Sequence, residues 1–103
     1  MQLSAAVPGQ VVLAEGHLGV GTVADLHGML AEQSAIGSGD LLLDCRALVC
    51  RDSTGLGALL TAHRRTARAG RRLVLVAVPD PLHRLLVLTR LSRVLHVVDA
   101  APA

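Results

Sequence analysis

The sequence predicts a single α/β domain over residues 1–103, with helices packed on a mostly parallel, mixed sheet of four to five strands in the order ββαβαβαβ. Three observations carry this. Short apolar runs alternate with stretches of helical periodicity, and parallel strands joined in this way need crossover connections. Leu73-Val74-Leu75-Val76-Ala77-Val78 is the clearest strand in the chain, with Leu41-Leu42-Leu43 a second continuous apolar run. Finally, 51% of the residues are hydrophobic, enough for one core without metal or disulfide support.

Val11-Val12-Leu13-Ala14 reads as a strand, paired across the Pro8-Gly9 turn with an earlier one around Leu3 to Val7. After the glycine-rich stretch Gly16 to Gly21, Val23, Leu26, His27 and Leu30 recur at i, i+3, i+4, i+7. That spacing predicts an amphipathic helix with Thr22 as N-cap, ending near Ser34. Leu41 to Leu43 is expected to form a strand buried on both faces and ending at Asp44, with Cys45 to Arg51 as a connection. Leu56, Leu59, Leu60, His63 and Ala67 form the stripe of a second helix, which Gly70 closes. Pro79-Asp80-Pro81 opens a third helix carrying Leu82, Leu85 and Leu86, and a last strand covers Val94 to Val98.

Composition excludes several functions. There is no Phe, Tyr or Trp, so the aromatic stacking used to hold single-stranded nucleic acid is missing, and no direct nucleic-acid partner is expected. Net charge is +2, and Arg64, Arg65, Arg68, Arg71 and Arg72 cluster in sequence; a solvated helix face is the expected reading. Cys45 and Cys50 fit neither a zinc nor a C-x-x-C redox spacing and read as small buried hydrophobes. The five histidines share no ligand spacing, so no metal and no cofactor is expected. No apolar run approaches the ~18 residues of a membrane span, and no secretory signal is evident at the N-terminus. A cytoplasmic protein without membrane insertion is expected.

Two segments stand where a parallel sheet gathers its functional groups, beyond the carboxyl ends of strands. Gly19-Val20-Gly21-Thr22-Val23-Ala24 matches the short G-x-G-x-x-A dinucleotide fingerprint, with Asp44 near the end of the next strand. A tight strand-to-helix turn explains the same residues. Asp52-Ser53-Thr54-Gly55-Leu56-Gly57 opens the second helix, with Asp52 or Ser53 able to cap it. Two glycines in the first turns each cost roughly 1 kcal/mol relative to Ala, so Gly55 and Gly57 require a reason. One is close approach of another protein's backbone around Ser53 and Leu56. No nucleophile elbow surrounds Ser53 and no histidine is placed by sequence to activate it, so no catalytic residue is expected.

Leu41-Leu42-Leu43-Asp44, Asp52-Ser53-Thr54-Gly55-Leu56-Gly57-Ala58-Leu59-Leu60, Gly70-Arg71-Arg72-Leu73-Val74-Leu75-Val76 and the closing stretch Leu82 to Val97 together resemble the STAS domain of bacterial anti-sigma factor antagonists. The resemblance covers roughly residues 11–98 and implies a STAS-like fold with no enzymatic activity of its own. It further implies partner switching with an anti-sigma factor that is also a serine kinase, phosphorylation of Ser53 and reversal by a serine phosphatase. The implied contact surface comprises Asp52, Ser53, Thr54, Gly55, Leu56 and Gly57 with Gly19, Gly21 and the rest of the Gly16–Thr22 loop. Three departures stand out. Gly19 occupies the place of an Asp often found in phosphorylated members, Arg90 replaces a glycine, and the family's final helix is expected to be shortened or absent. A STAS scaffold or regulatory subunit of a transporter or stress-signalling assembly, not phosphorylated, is the first alternative; a nucleotide-binding protein using Gly19 and Gly21 is the second.

Overall fold

A computed structural model describes residues 1–98, and the expected shortening or absence of a final helix lies outside the described residues. The strands are β1 (Gln2–Val7), β2 (Val11–His17), β3 (Asp40–Val49), β4 (Arg72–Val76) and β5 (His96–Val97). The helices are α1 (Val23–Ser34), α2 (Ser53–Arg68) and α3 (Asp80–Leu88), followed by a 3₁₀ turn at Leu91–Arg93. One mixed sheet runs in the order β1-β2-β3-β4-β5. β1 is antiparallel to β2 across the Pro8-Gly9 turn, and every other pair is parallel.

This sequential order steps in one direction, so right-handed crossovers leave all three helices on the same face of the sheet. Leu26 and Leu30 of α1, Leu56 and Leu59 of α2, and Leu82 and Leu86 of α3 accordingly share one core with Val12, Ala14, Leu41, Leu43, Leu73 and Leu75. The core is aliphatic throughout. On the opposite face Val11, Leu13 and Leu42 are only half-buried, which corrects the expectation that Leu41 to Leu43 is buried on both sides.

β3 also runs beyond Asp44. The segment predicted as a connection continues the strand to Val49, with Glu15, Gly16 and His17 paired to Ala47, Leu48 and Val49. A register shift between Leu13 and Glu15 breaks the alternation of side chains at that point. The last strand shrinks from the predicted Val94–Val98 to His96–Val97, because the N–H groups of Val94 and Leu95 bond back to Leu91 O and close the 3₁₀ turn.

The buried face of α2 is Gly55, Leu56, Ala58, Leu59, Ala62 and Thr66, with His63 half-buried and Ala67 exposed. Its stripe is turned from the predicted one because Ala58 and Ala62 face α1, where His27 Nε2–H donates to Ala58 O at 3.0 Å. Gly70, at φ +80°, ends the helix. Its N–H donates to Ala67 O at 2.9 Å and that of Arg71 to Thr66 O at 3.1 Å, a Schellman closure. Arg90 keeps a left-handed backbone, φ +63°, between α3 and the 3₁₀ turn.

Arg71 departs furthest from the sequence reading. It is not part of a solvated face but buried, 7% exposed. Its guanidinium donates to Gly39 O at 2.9 Å, Gln33 O at 3.0 Å and Ile36 O at 2.8 Å, and also to Gly9 O. Gln33 completes the cluster by accepting from Gly9 N–H through Oε1 at 2.7 Å. The charge thus sits on carbonyls at the negative end of α1 rather than on a carboxylate. Arg72 pairs instead with Asp40, at 2.8 Å, and its guanidinium holds that carboxyl below the usual range.

Candidate functional site

The two segments singled out in the sequence meet at one edge of the sheet. β2 and β3 end side by side, His17 opposite Val49, and Leu18 N–H donates to Val49 O at 2.7 Å. Leu18 is fully buried, which anchors the start of the loop. The loop then closes on itself. Gly19 N–H donates to Thr22 Oγ1 at 3.0 Å, and Thr22 Oγ1 donates to His17 O at 2.8 Å. Gly19 O accepts from the N–H groups of Thr22 and Val23 at 3.0 and 3.1 Å.

Thr22 therefore occupies the N-cap position of α1 without capping it through its side chain; its hydroxyl is committed to the turn. The same bonds bear on the dinucleotide fingerprint. A phosphate cradle needs free backbone N–H groups, and those of Gly19, Thr22 and Val23 are already used within the loop. Asp44 faces its own strand, its Oδ1 accepting from Arg46 N–H at 3.0 Å. Gly19 is buried, and a β-carbon there would lie 2.8 Å from His17 Cε1. An Asp in this place would have to displace the imidazole.

α2 begins against this loop. Asp52 is extended, φ −139° and ψ 173°, and its Oδ1 accepts from Gly55 N–H at 2.9 Å. Between the two candidate caps, Asp52 takes the role. Ser53 is left as the first helical residue, exposed, with no hydrogen-bond partner for its hydroxyl among the described residues. Thr54 is exposed beside it.

Gly55, by contrast, is buried. A β-carbon there would come within 2.5 Å of Cys50 Sγ and 2.8 Å of Leu18 O. Its lack of a side chain lets the first turn of α2 rest on the loop after β2. Leu56 is buried beneath the surface, in the core cluster. Gly57 and Gly21 are exposed, and a β-carbon on either would meet nothing within 4 Å. The start of α2 thus rests on the loop after β2 where Gly55 approaches Leu18 O. Asp52, Ser53, Thr54, Gly57 and Gly21 are open to solvent, and Gly19, Gly55 and Leu56 lie underneath.

Within the implied Gly16–Thr22 loop, Val20 stands at the tip and is 84% exposed. With Ala24 and Gly28 it borders a shallow trough of about 580 Å³ along α1, reached by Arg65 from α2.

The chemistry available here is limited. Cys45 is buried, and desolvation, with Asp44 and Cys50 nearby, pushes its thiol up to about 12. Burial likewise pushes the Cys50 thiol up. Neither is a ready thiolate. Among the described residues no three His, Cys, Asp or Glu side chains are grouped to hold a metal ion. No described helix is long and apolar enough to cross a membrane.

A family profile described as STAS domain matches residues 5–101. No curated protein matches the sequence. Among solved structures, the crystal structure of TM1081 from Thermotoga maritima, described as a candidate anti-sigma factor antagonist, aligns with a TM-score of 0.71 at 20% identity. The alignment covers 87% of this chain and 80% of that one. The NMR structure of TM1081 gives a TM-score of 0.72 at 20% identity over 87% and 74% of the two chains. The anti-sigma factor antagonist SpoIIAA, in its unphosphorylated form, gives 0.68 at 18% identity over 94% and 86%. At these identities the likeness is one of fold.

Proposed function

The chain belongs to the STAS domain family, and from that premise we propose that it acts as an anti-sigma factor antagonist switched by phosphorylation of Ser53. In this reading the unmodified protein binds an anti-sigma factor through Asp52, Ser53, Thr54, Gly57 and Gly21, supported from below by Gly19, Gly55 and Leu56. The partner is also a serine kinase and transfers a phosphoryl group from ATP to Ser53; a serine phosphatase removes it. The protein is a substrate of these enzymes in the cytoplasm rather than a catalyst.

One observation carries the reading: Asp52 caps α2, so the hydroxyl of Ser53 stands exposed and unengaged at the helix N-terminus. A phosphate placed there carries about −1.5 to −2 charges at pH 7. Within the protein, the positive end of α2 and its free N–H groups accommodate it. Across a packed interface, the same group adds bulk and the cost of desolvating its charge. About 1.4 kcal/mol is a tenfold loss of affinity, so one phosphate releases the partner without refolding either protein.

The test is incubation with the cognate anti-sigma factor and ATP, followed by mass mapping and binding measurements. A single phosphate on Ser53, absent in Ser53→Ala, and loss of binding in Ser53→Asp are expected. No phosphate on Ser53, with binding retained by Ser53→Asp, overturns the switch. A second reading, an unphosphorylated STAS scaffold or regulatory subunit, is favoured by Gly19, which leaves no carboxylate at that point of the loop. It predicts stable partner binding that ATP does not alter.

A further inference from the structure

Helix α2 carries more than the serine at its start. From Ser53 to Arg68 it contains no Asp or Glu. Ser53, Gly57, Thr61, Arg64 and Arg68 fall at i, i+4, i+8, i+11 and i+15, which places them along one side of the helix. That side is turned from the core: Ser53, Gly57, Arg64 and Arg68 are exposed and Thr61 is half-buried. Gly57 leaves the stripe bare one turn beyond Ser53, with open space where a side chain would stand. Neither arginine is paired, since the ion pairs among the described residues are Arg46 with Asp44 and Arg72 with Asp40. At 1.5 Å per residue, Arg64 and Arg68 lie roughly 16 and 22 Å along the axis from Ser53. That span is well within a protein–protein contact of ordinary size, about 800 Å² on each partner.

We propose that the contact surface continues along α2, and that Arg64 and Arg68 engage an acidic patch on the same partner that covers Ser53. This rests on the partner-switching reading above. The commitment to an acidic patch follows from charge complementarity: an unpaired pair of cations on a helix free of carboxylates fits a surface of opposite sign. The two ends of the stripe then have separate duties. The serine end decides whether the complex persists, because the phosphate is added there. The arginine end governs how fast the partners meet and in which orientation, because exposed charges act mainly on association rate and register.

The experiment uses the full chain and its cognate anti-sigma factor, with association and dissociation rates measured at several salt concentrations. Arg64→Glu/Arg68→Glu should weaken binding at least tenfold at low ionic strength, chiefly through slower association. The deficit should shrink as added salt shortens the Debye length from about 30 Å at 0.01 M to about 3 Å at 1 M. Arg64→Gln/Arg68→Gln should lose less. Arg84→Glu/Arg93→Glu, which reverses two exposed arginines off this stripe, should bind as the wild type does. Equal affinity of the Arg64/Arg68 variant and the wild type at low salt overturns the proposal, as does an equal loss in the Arg84/Arg93 control. Failure of the wild type to bind an anti-sigma factor at all overturns the functional reading, and this proposal with it. Wild-type binding with an unaffected Arg64/Arg68 variant removes the proposal alone.

Discussion

A β-carbon built on Gly55 would sit 2.5 Å from Cys50 Sγ and 2.8 Å from Leu18 O, whereas one on Gly57 meets nothing within 4 Å. The two glycines are close in sequence, where one explanation, the approach of a partner, serves both. Space explains Gly55 from inside the protein and leaves only Gly57 on the open surface. Gly55→Ala should therefore destabilise by about 1–3 kcal/mol, since the contact is with backbone as well as sulfur. Gly57→Ala should stabilise by about 1 kcal/mol through helix propensity while weakening partner binding. Urea titrations of both variants, with partner affinity measured for Gly57→Ala, check the pair; equal stability changes would show that neither position is distinguished by packing. The sequence made the cost of both glycines visible, because propensity is local. It hid the cause at Gly55, because Cys50 and Leu18 reach that spot only through the pairing of β2 and β3. The choice between Asp52 and Ser53 as cap was open for a similar reason, since either side chain is chemically suited to the role.

Among elements, the clip formed by Arg71 was the least legible. In sequence it follows Arg64, Arg65 and Arg68 at helical intervals and reads as one more member of a basic face. The helix stops first: Gly70 turns the chain at φ +80°, and Arg71 enters the far edge of the sheet among the carbonyls of Gly9, Gln33, Ile36 and Gly39. It joins the β1–β2 turn to the connection between α1 and β3, two segments far apart in sequence from each other and from Arg71. Arg71→Met should cost roughly 3 kcal/mol or more, because several buried carbonyls lose their donor at once. Arg71→Lys should fall between, as an ammonium cannot reproduce the planar fork. Chemical denaturation of the two variants tests this, and a loss below about 1 kcal/mol for Arg71→Met would show the clip to be dispensable. The underestimated length of β3 has an equally physical origin. The register shift beside Asp44 interrupts the period of two on which strand recognition depends.

At the scale of the whole molecule, the strand and helix order was legible because each apolar run is short and bounded by glycine or proline. The spatial order of the strands was not, and it decides that only one face of the sheet is covered; hence Leu42 is half-buried although its neighbours are fully so. The same topology sets β5, two residues long, beside β4 near the end of the described chain. There His96 meets His63 of α2, ring centroids 5.5 Å apart and tilted by 51°. His63 Nδ1 is buried with no hydrogen-bond partner among the described residues. Desolvation, reinforced by His96 and Arg64, holds the His63 imidazole below its ordinary value near 6.5. Folding therefore favours the neutral ring, and the unfolded chain takes up the proton first as pH falls. The contribution to stability is undiminished above about pH 6.5 and declines as pH drops from there toward the lowered value in the fold. The Asp40–Arg72 pair acts in a separate window: with the Asp40 carboxyl lowered from 3.8, its contribution is present above that value and fades only in stronger acid. Denaturation midpoints followed from about pH 8 to pH 5 should fall for the wild type below about 6.5. His63→Leu, which removes both the titrating ring and the unpartnered nitrogen, should flatten that decline. Parallel curves for the two proteins would place the acid sensitivity elsewhere and exclude His63 as its source.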